Sequence, residues 1–105
     1  TLTEFKIDCY KQIGKEWRYI GKYVPDFLLL SRKDDGSIHR IIIIETKGEG
    51  FAAKFIDRKL FMETEFIRKN NERFGYERFR FLYLTRSKTE REKQTMEAIK
   101  EFFNI

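Results

Sequence analysis

The stretch YVPDFLLLSRKDDGSIHRIIIIETKG, residues 23–48, decides how this chain folds. Two apolar runs, Val24–Leu30 and Ile38–Ile44, flank a polar segment that contains Asp35-Gly36. Asp-Gly between apolar runs is the strongest short-range hairpin signal, because both residues tolerate the positive φ that a tight turn demands. Neither arm alternates apolar with polar, so both are expected to be central strands with helices above and below. A hairpin centred between Asp35 and Gly36 pairs residues whose numbers sum to 71. Asp26 then faces Glu45, about 4.5–5.5 Å away at Cα, with both side chains on one face. Lys47 shares that face, since strand side chains alternate with period two, and Thr46 points away. A bulge would shift this register by one.

Working outward, Phe5–Tyr10 and Trp17–Tyr23 read as short strands around a turn near Gly14. Between Phe51 and Asn71 the residues Ala52, Phe55, Ile56, Leu60, Met62, Phe66 and Ile67 recur mostly at threes and fours, a helical stripe interrupted at Lys59. Gly48-Glu49-Gly50 reads as the loop between the second hairpin arm and this helix. Phe79–Thr85 reads as a further strand. Thr89 with Glu92 forms a capping-box pattern, and Met96, Ile99 and Phe103 carry the inner face of a closing helix. The order is β-β-β-β-α-β-α, which predicts a mixed central β-sheet flanked by helices, in the α/β or α+β class.

The chain has 105 residues, of which 41% are hydrophobic and 16% aromatic, enough for one packed domain over 1–105 and too many for disorder. Lys+Arg number 22 against 17 Asp+Glu, and the resulting +5 suits a phosphate-rich partner. No apolar run reaches the roughly 18 residues of a membrane span, and residues 1–20 show no signal-peptide pattern. With a single Cys9 and a single His39 there is neither an internal disulfide nor a Cys/His zinc cluster. A reducing, cytoplasmic setting is expected. The opening Thr1, in place of Met, leads us to expect a fragment of a larger chain.

Two carboxylates forced together at the end of an aliphatic strand pair repel each other, and a cation must compensate. A hard divalent ion with oxygen ligands, Mg²⁺ with Mn²⁺ as a substitute, is the natural partner, and it takes phosphate oxygens as further ligands. Such an ion lowers the pKa of its water and stabilises charge on a phosphoryl group, while Lys47 orients that water or offsets developing charge. These parts suffice for phosphodiester hydrolysis. The plainer alternative is a solvated strand end, with Glu45 and Lys47 as a surface pair worth less than about 1 kcal/mol.

Pro25-Asp26 opening one strand and Glu45-Thr46-Lys47 closing the next resemble the PD-(D/E)xK nuclease superfamily, whose fold is restriction-endonuclease-like. The longer strings Tyr23–Phe27 and Ile43–Gly48 are similar to the C-terminal endonuclease domain of type III restriction enzymes and related helicase-nucleases. The resemblance is specific over residues 19–50 and loose beyond them. It implies a metal-dependent DNA endonuclease in which Asp26 and Glu45 ligate the metal, the Thr46 backbone carbonyl adds a ligand, and Lys47 is the catalytic lysine. Many members of this superfamily add an acid from a preceding helix; no helix is evident before Phe5 here, so that acid is expected to be missing, to lie upstream of this fragment, or to be replaced by Glu4 or Glu16. They also carry a polar or basic residue on the following helix, for which Lys59 is the first candidate and Lys54 the second. The partners implied are DNA, the remaining domains of a larger ATP-dependent enzyme, and a second copy if both strands are cut. No Gly-rich ATP-binding loop occurs in this chain. A non-catalytic nucleic-acid-binding module on a nuclease-like fold is the alternative.

Other residues draw quieter readings. Arg68, Lys69, Arg73, Arg78 and Arg80 are interleaved with Glu65, Glu72 and Glu77, which suits a solvated surface with some steering role. Trp17, Tyr19 and Tyr23 could stack on bases, but as strand aromatics they are assigned to the core. His39 is expected to be exposed near the turn, and Cys9 lacks a base partner that would activate it.

Overall fold

In a computed structural model, described here for residues 5–46, 49–84 and 88–104, five strands and three α-helices follow the expected order. Side chains of 49–54 and 88 lie outside that description. Strands β1 (Ile7–Ile13) and β2 (Glu16–Tyr23) form an antiparallel hairpin of their own, turning at Gly14. Strands β3 (Phe27–Arg32), β4 (Ile38–Thr46) and β5 (Phe79–Leu84) form a second sheet in the order β3-β4-β5. β3 runs antiparallel to β4, and β5 runs parallel to it after a helical crossover. The expected mixed sheet is therefore present, but the chain builds two sheets where one was anticipated.

β4 explains why the three-stranded sheet is covered on both sides. Ile41 and Ile43 pack with Ile7, Cys9, Tyr23, Phe55, Met62 and Phe79 on one face. Ile42 and Ile44 pack with Leu84, Ala98 and Phe102 on the other. Consecutive β-branched residues bury alternately up and down, so an unbroken isoleucine run belongs to a strand with two covered faces. β3 corrects the expectation that both hairpin arms are central. It is an edge strand, with Phe27 55% exposed and Leu30 also exposed. An apolar run alone does not distinguish an edge from a centre.

The crossover is one long helical run: α1 (Glu49–Phe61), a π-helical turn (Met62–Phe66) and α2 (Ile67–Phe74). Glu49 and Gly50, read as loop, begin α1. Phe55 and Met62 are buried against the sheet, while Ile56 and Leu60 from the expected stripe face outward. The π turn inserts an extra residue that rephases the inner face. Asn71 then fastens α2 to β5: its Oδ1 accepts the N–H groups of Arg78 (2.9 Å) and Phe79 (2.7 Å), and its Nδ2 donates to the Phe79 carbonyl (3.0 Å). Helix α3 (Lys88–Phe103) closes the second face through Ala98 and Phe102. It has already begun at Lys88, so Thr89 lies within its first turn, and Met96, expected inside, is exposed. Thr85 lies outside the described residues.

The turn of the β3–β4 hairpin differs from the expected one by a residue, and a bulge cancels the difference. The Lys33 N–H bonds the Ser37 carbonyl and the Gly36 N–H bonds the Lys33 carbonyl, with Gly36 at φ 89°. This is a three-residue loop centred one half-step earlier than Asp35-Gly36. The ladder then shifts between Ser31 and Arg32, and from Ser31↔Arg40 to Phe27↔Ile44 every pair sums to 71. His39, expected to be exposed, is half-buried at this shift and stacks on Tyr76 at 5.3 Å.

The hairpin β1–β2 is held to α1 by Arg58. Its guanidinium donates to the carbonyls of Ile20 (3.0 Å) and Lys22 (3.3 Å) across Gly21, where the strand bulges opposite Cys9/Tyr10. Gly21 has φ +123°, and a Cβ there would lie 2.5 Å from Arg58 Nη2. Among the described residues, no helix is long and apolar enough to cross a membrane.

Candidate functional site at the open end of the hairpin

The ladder's last pair is Phe27↔Ile44, so Asp26 and Glu45 are the next residues on the two strands, just past the paired region at the open end of the hairpin; the expected Asp26–Glu45 pair is not part of the ladder. Glu45 lies on the face of Ile41 and Ile43, toward β2 and α1, and is 1% exposed. Its Oε1 accepts a hydrogen bond from the Tyr23 hydroxyl at 2.8 Å. Tyr23, buried at the end of β2, packs on Phe55 with ring centroids 5.4 Å apart. Burial above all, then the hydrogen bond to Glu45 and the charges of Glu45 and Asp26, push the Tyr23 hydroxyl far above the usual phenol range. At neutral pH its proton is therefore held for Glu45.

Asp26 behaves differently from expectation. Its Oδ2 accepts the Thr46 backbone N–H and the Thr46 hydroxyl, both at 2.9 Å. Thr46, read as pointing away from the acids, is thus the residue that holds Asp26. β3 starts only at Phe27, so the Thr46 N–H looks past the strand end, and the Asp26 side chain supplies the acceptor. Asp26 is exposed and Thr46 half-buried, the latter at the border of an open apolar groove between β3 and α3.

The remaining candidates separate. Lys59 sits on α1 with Nζ 5.4 Å from the centre of the Tyr83 ring, and Tyr83 is Glu45's neighbour in the parallel ladder. Its ammonium pairs with Glu63 at 2.7 Å, so it stands beside the site and is partnered on its own helix. Glu16 is removed as a stand-in acid. It pairs with Ile13 at the hairpin turn, seven residues from Tyr23, which is about 23 Å of extended strand. Lys47 and Glu4 lie outside the described residues, as does the side chain of Lys54.

Two features escaped the sequence reading. Tyr23 as Glu45's donor comes from a different sheet through tertiary packing, which no spacing announces. The Tyr83 hydroxyl, beneath Lys59, is buried with no hydrogen-bond partner among the described residues. Conversely, Cys9 behaves as anticipated: it is fully buried, and burial pushes its thiol from 9.0 up to about 11, an inert form.

Among the described residues no group of three or more His, Cys, Asp or Glu side chains gathers. The donor set at the hairpin mouth is two carboxylates, one buried and one exposed, each steadied by a neutral hydroxyl. All-oxygen donors in that number fit Mg²⁺, which binds through one or two carboxylates and completes its shell with water and phosphate oxygens. Compared with protein-family models, with characterised proteins and with solved structures, the chain gives no match to any.

Proposed function

We propose that this chain is a divalent-metal-dependent DNA endonuclease domain of the PD-(D/E)xK type, working in the cytoplasm as part of a larger restriction or helicase-nuclease enzyme. The observation that supports it is Glu45, a carboxylate 1% exposed at the end of a four-isoleucine run, next past the end of the β3–β4 ladder as Asp26 is on the facing strand. Buried acids cost stability, and side chains with that cost gather where chemistry requires them.

Asp26 and Glu45 would hold the ion, with the Thr46 carbonyl as a further oxygen. A bound Mg²⁺ supplies Lewis acidity that draws charge from a phosphoryl group and lowers the pKa of water. Thr46 fixes the Asp26 carboxylate and Tyr23 fixes that of Glu45, so neither has to be ordered when substrate arrives. Lys47 has the charge to offset negative charge that builds up on the scissile phosphate. Cutting both strands of a duplex would take a second copy. A non-catalytic nucleic-acid-binding module is the second reading, favoured by the fact that each carboxylate already has a protein donor.

Supercoiled plasmid incubated with Mg²⁺, Mn²⁺ or EDTA tests the proposal, using the parent, Asp26→Asn, Glu45→Gln and Lys47→Ala. Asp26→Asn keeps an acceptor for Thr46 and so keeps the local structure. Nicking is expected only with metal, and is expected to fall about 100-fold or more in each variant. Calorimetric Mn²⁺ binding, lost in Asp26→Asn and retained in Lys47→Ala, is the readout independent of turnover. Cutting in chelator, or cutting that survives both Asp26→Asn and Lys47→Ala, refutes the nuclease reading.

A further inference from the structure

The β1–β2 hairpin carries three aromatic rings that the core does not absorb. Tyr10 is 39% exposed, Trp17 47% and Tyr19 50%. Strand aromatics are expected in the interior, but of Trp17, Tyr19 and Tyr23 only Tyr23 is buried. Register puts Tyr10 opposite Tyr19 and Gln12 opposite Trp17, so the three rings share one face of the hairpin. Tyr10 and Tyr19 meet edge to face at 5.4 Å. Beside Trp17 a groove of about 350 Å³ opens, bounded by Tyr10, Phe61, Glu65 and Lys69, with Lys69 Nζ 5.9 Å from the Trp17 ring centre.

Charge on the hairpin is one-sided. Residues 5–23 hold Lys6, Lys11, Lys15, Arg18 and Lys22 against only Asp8 and Glu16. Asp8 is already engaged by Lys22 at 2.8 Å and by the Tyr19 hydroxyl at 3.2 Å, and the Lys22 hydrogen bond holds its carboxyl below the usual range. Lys11 is likewise paired with Asp57 at 3.4 Å and Lys69 with Glu65 at 3.0 Å, and Lys11 and Arg18 lie on the face opposite the rings. The exposed rings are therefore the main parts of a sequence-tolerant stacking surface, with the hairpin's net positive charge as a general attraction for phosphates. A duplex hides its base faces, so the occupant must be unpaired.

We propose that this face of the β1–β2 hairpin binds single-stranded nucleic acid, with one base in the groove beside Trp17 and a neighbour against the Tyr10–Tyr19 pair. β2 continues from Tyr19 to Tyr23, about 13 Å along the strand, where the Tyr23 hydroxyl meets Glu45. The inference deepens the nuclease reading by naming an unpaired strand as the substrate feature, and it rests on that reading for the use made of the bound strand.

The chain contains one tryptophan, so its emission reports on Trp17 alone. The full chain is titrated in EDTA with oligothymidylate of about 20 nucleotides, with an abasic strand of equal length, and with a duplex of equal length. Oligothymidylate is expected to quench Trp17, with an affinity that falls as salt rises. By anisotropy of a labelled strand, Trp17→Ala and Tyr19→Ala are each expected to weaken binding between about 5- and 150-fold, and the abasic strand to bind correspondingly less well than oligothymidylate. The proposal is overturned by unchanged emission at saturation, by equal affinity for abasic strand or duplex, or by folded alanine variants that bind like the parent. Should Trp17→Ala unfold the hairpin, Trp17→Phe, expected to retain binding, and the abasic comparison carry the test. Since no metal is present, a chain that never cuts DNA can still bind oligothymidylate, and a chain that cuts duplex without such binding sinks this inference alone.

Discussion

Replacing Tyr23 with Phe removes one oxygen atom and one hydrogen bond, the 2.8 Å donation to Glu45 Oε1. Both residues are buried, so water does not substitute for the lost donor. A hydrogen bond to a charged group contributes about 1.5–3 kcal/mol net, and the ring's packing on Phe55 and Phe81 is kept. We expect Tyr23→Phe to lower unfolding free energy by about 2 kcal/mol, which for a domain of this size is roughly 10 °C in Tm. Urea unfolding at neutral pH measures it, with an unchanged m-value showing that the same surface is exposed. Completing the cycle with Glu45→Met and the double variant isolates the pair. Removing both polar groups should cost at least about 1 kcal/mol less than the sum of the single changes, because each single variant takes a hydrogen-bond partner from a buried polar group. A Tyr23→Phe change below about 0.5 kcal/mol, or additive variants, would mean that the hydroxyl is not what steadies the Glu45 carboxylate.

Other outcomes can be checked alongside. Asn71→Ala breaks three bonds to the main chain of Arg78 and Phe79 and should cost about 2–3 kcal/mol, with Asn71→Asp intermediate because it keeps the acceptor and loses the donor. Gly21→Ala should cost about 1–3 kcal/mol; adding Arg58→Ala relieves the contact but not the φ of +123°, so thermal melts of the pair should show incomplete recovery. The Cys9 thiol, held at about 11 in the fold, keeps its proton where the unfolded chain loses it. Its contribution is whole below pH 9 and declines as pH rises toward 11, by about 2 kcal/mol at the upper end, a decline that Cys9→Ala should lack in pH-dependent urea titrations.

How far the sequence could be read follows from where the information lies. Asp35-Gly36 located the hairpin, and alternation along its arms set the faces, since both are local. The register came out as expected although the turn did not, because the bulge beside Arg32 restores the pairing before the ladder reaches Ser31. What β3 lacks, a partner on its far side, is decided by the whole sheet and left no mark on Phe27–Leu30. Helix faces were harder. Lys59 reads as an interruption of an apolar stripe, yet it lies over the Tyr83 ring while Ile56 and Leu60 face solvent, since Phe55, Lys59 and Met62, spaced i, i+4 and i+7, form the face turned to the sheet. Within the candidate site, backbone pairing stops at Phe27↔Ile44, one pair short of Asp26 and Glu45, and the hydrogen-bond donors to these acids come from Thr46 at a strand end and from Tyr23 in another sheet.

The isoleucines at 41 to 44 have a further consequence. Four identical side chains in a row fit their pockets equally well after a slide of one position, so the apolar interior by itself does not tell β4 where to stop. The choice falls to polar anchors beyond each end: Arg40, whose main-chain N–H meets Ser31 Oγ and whose guanidinium reaches the Phe102 carbonyl, and Glu45 and Thr46, tied to Tyr23 and Asp26. The acids at the hairpin mouth thus double as the notch that indexes the strand, and a sequence that gave them up for aliphatic residues would gain greasy surface while losing its means of telling one alignment from the next.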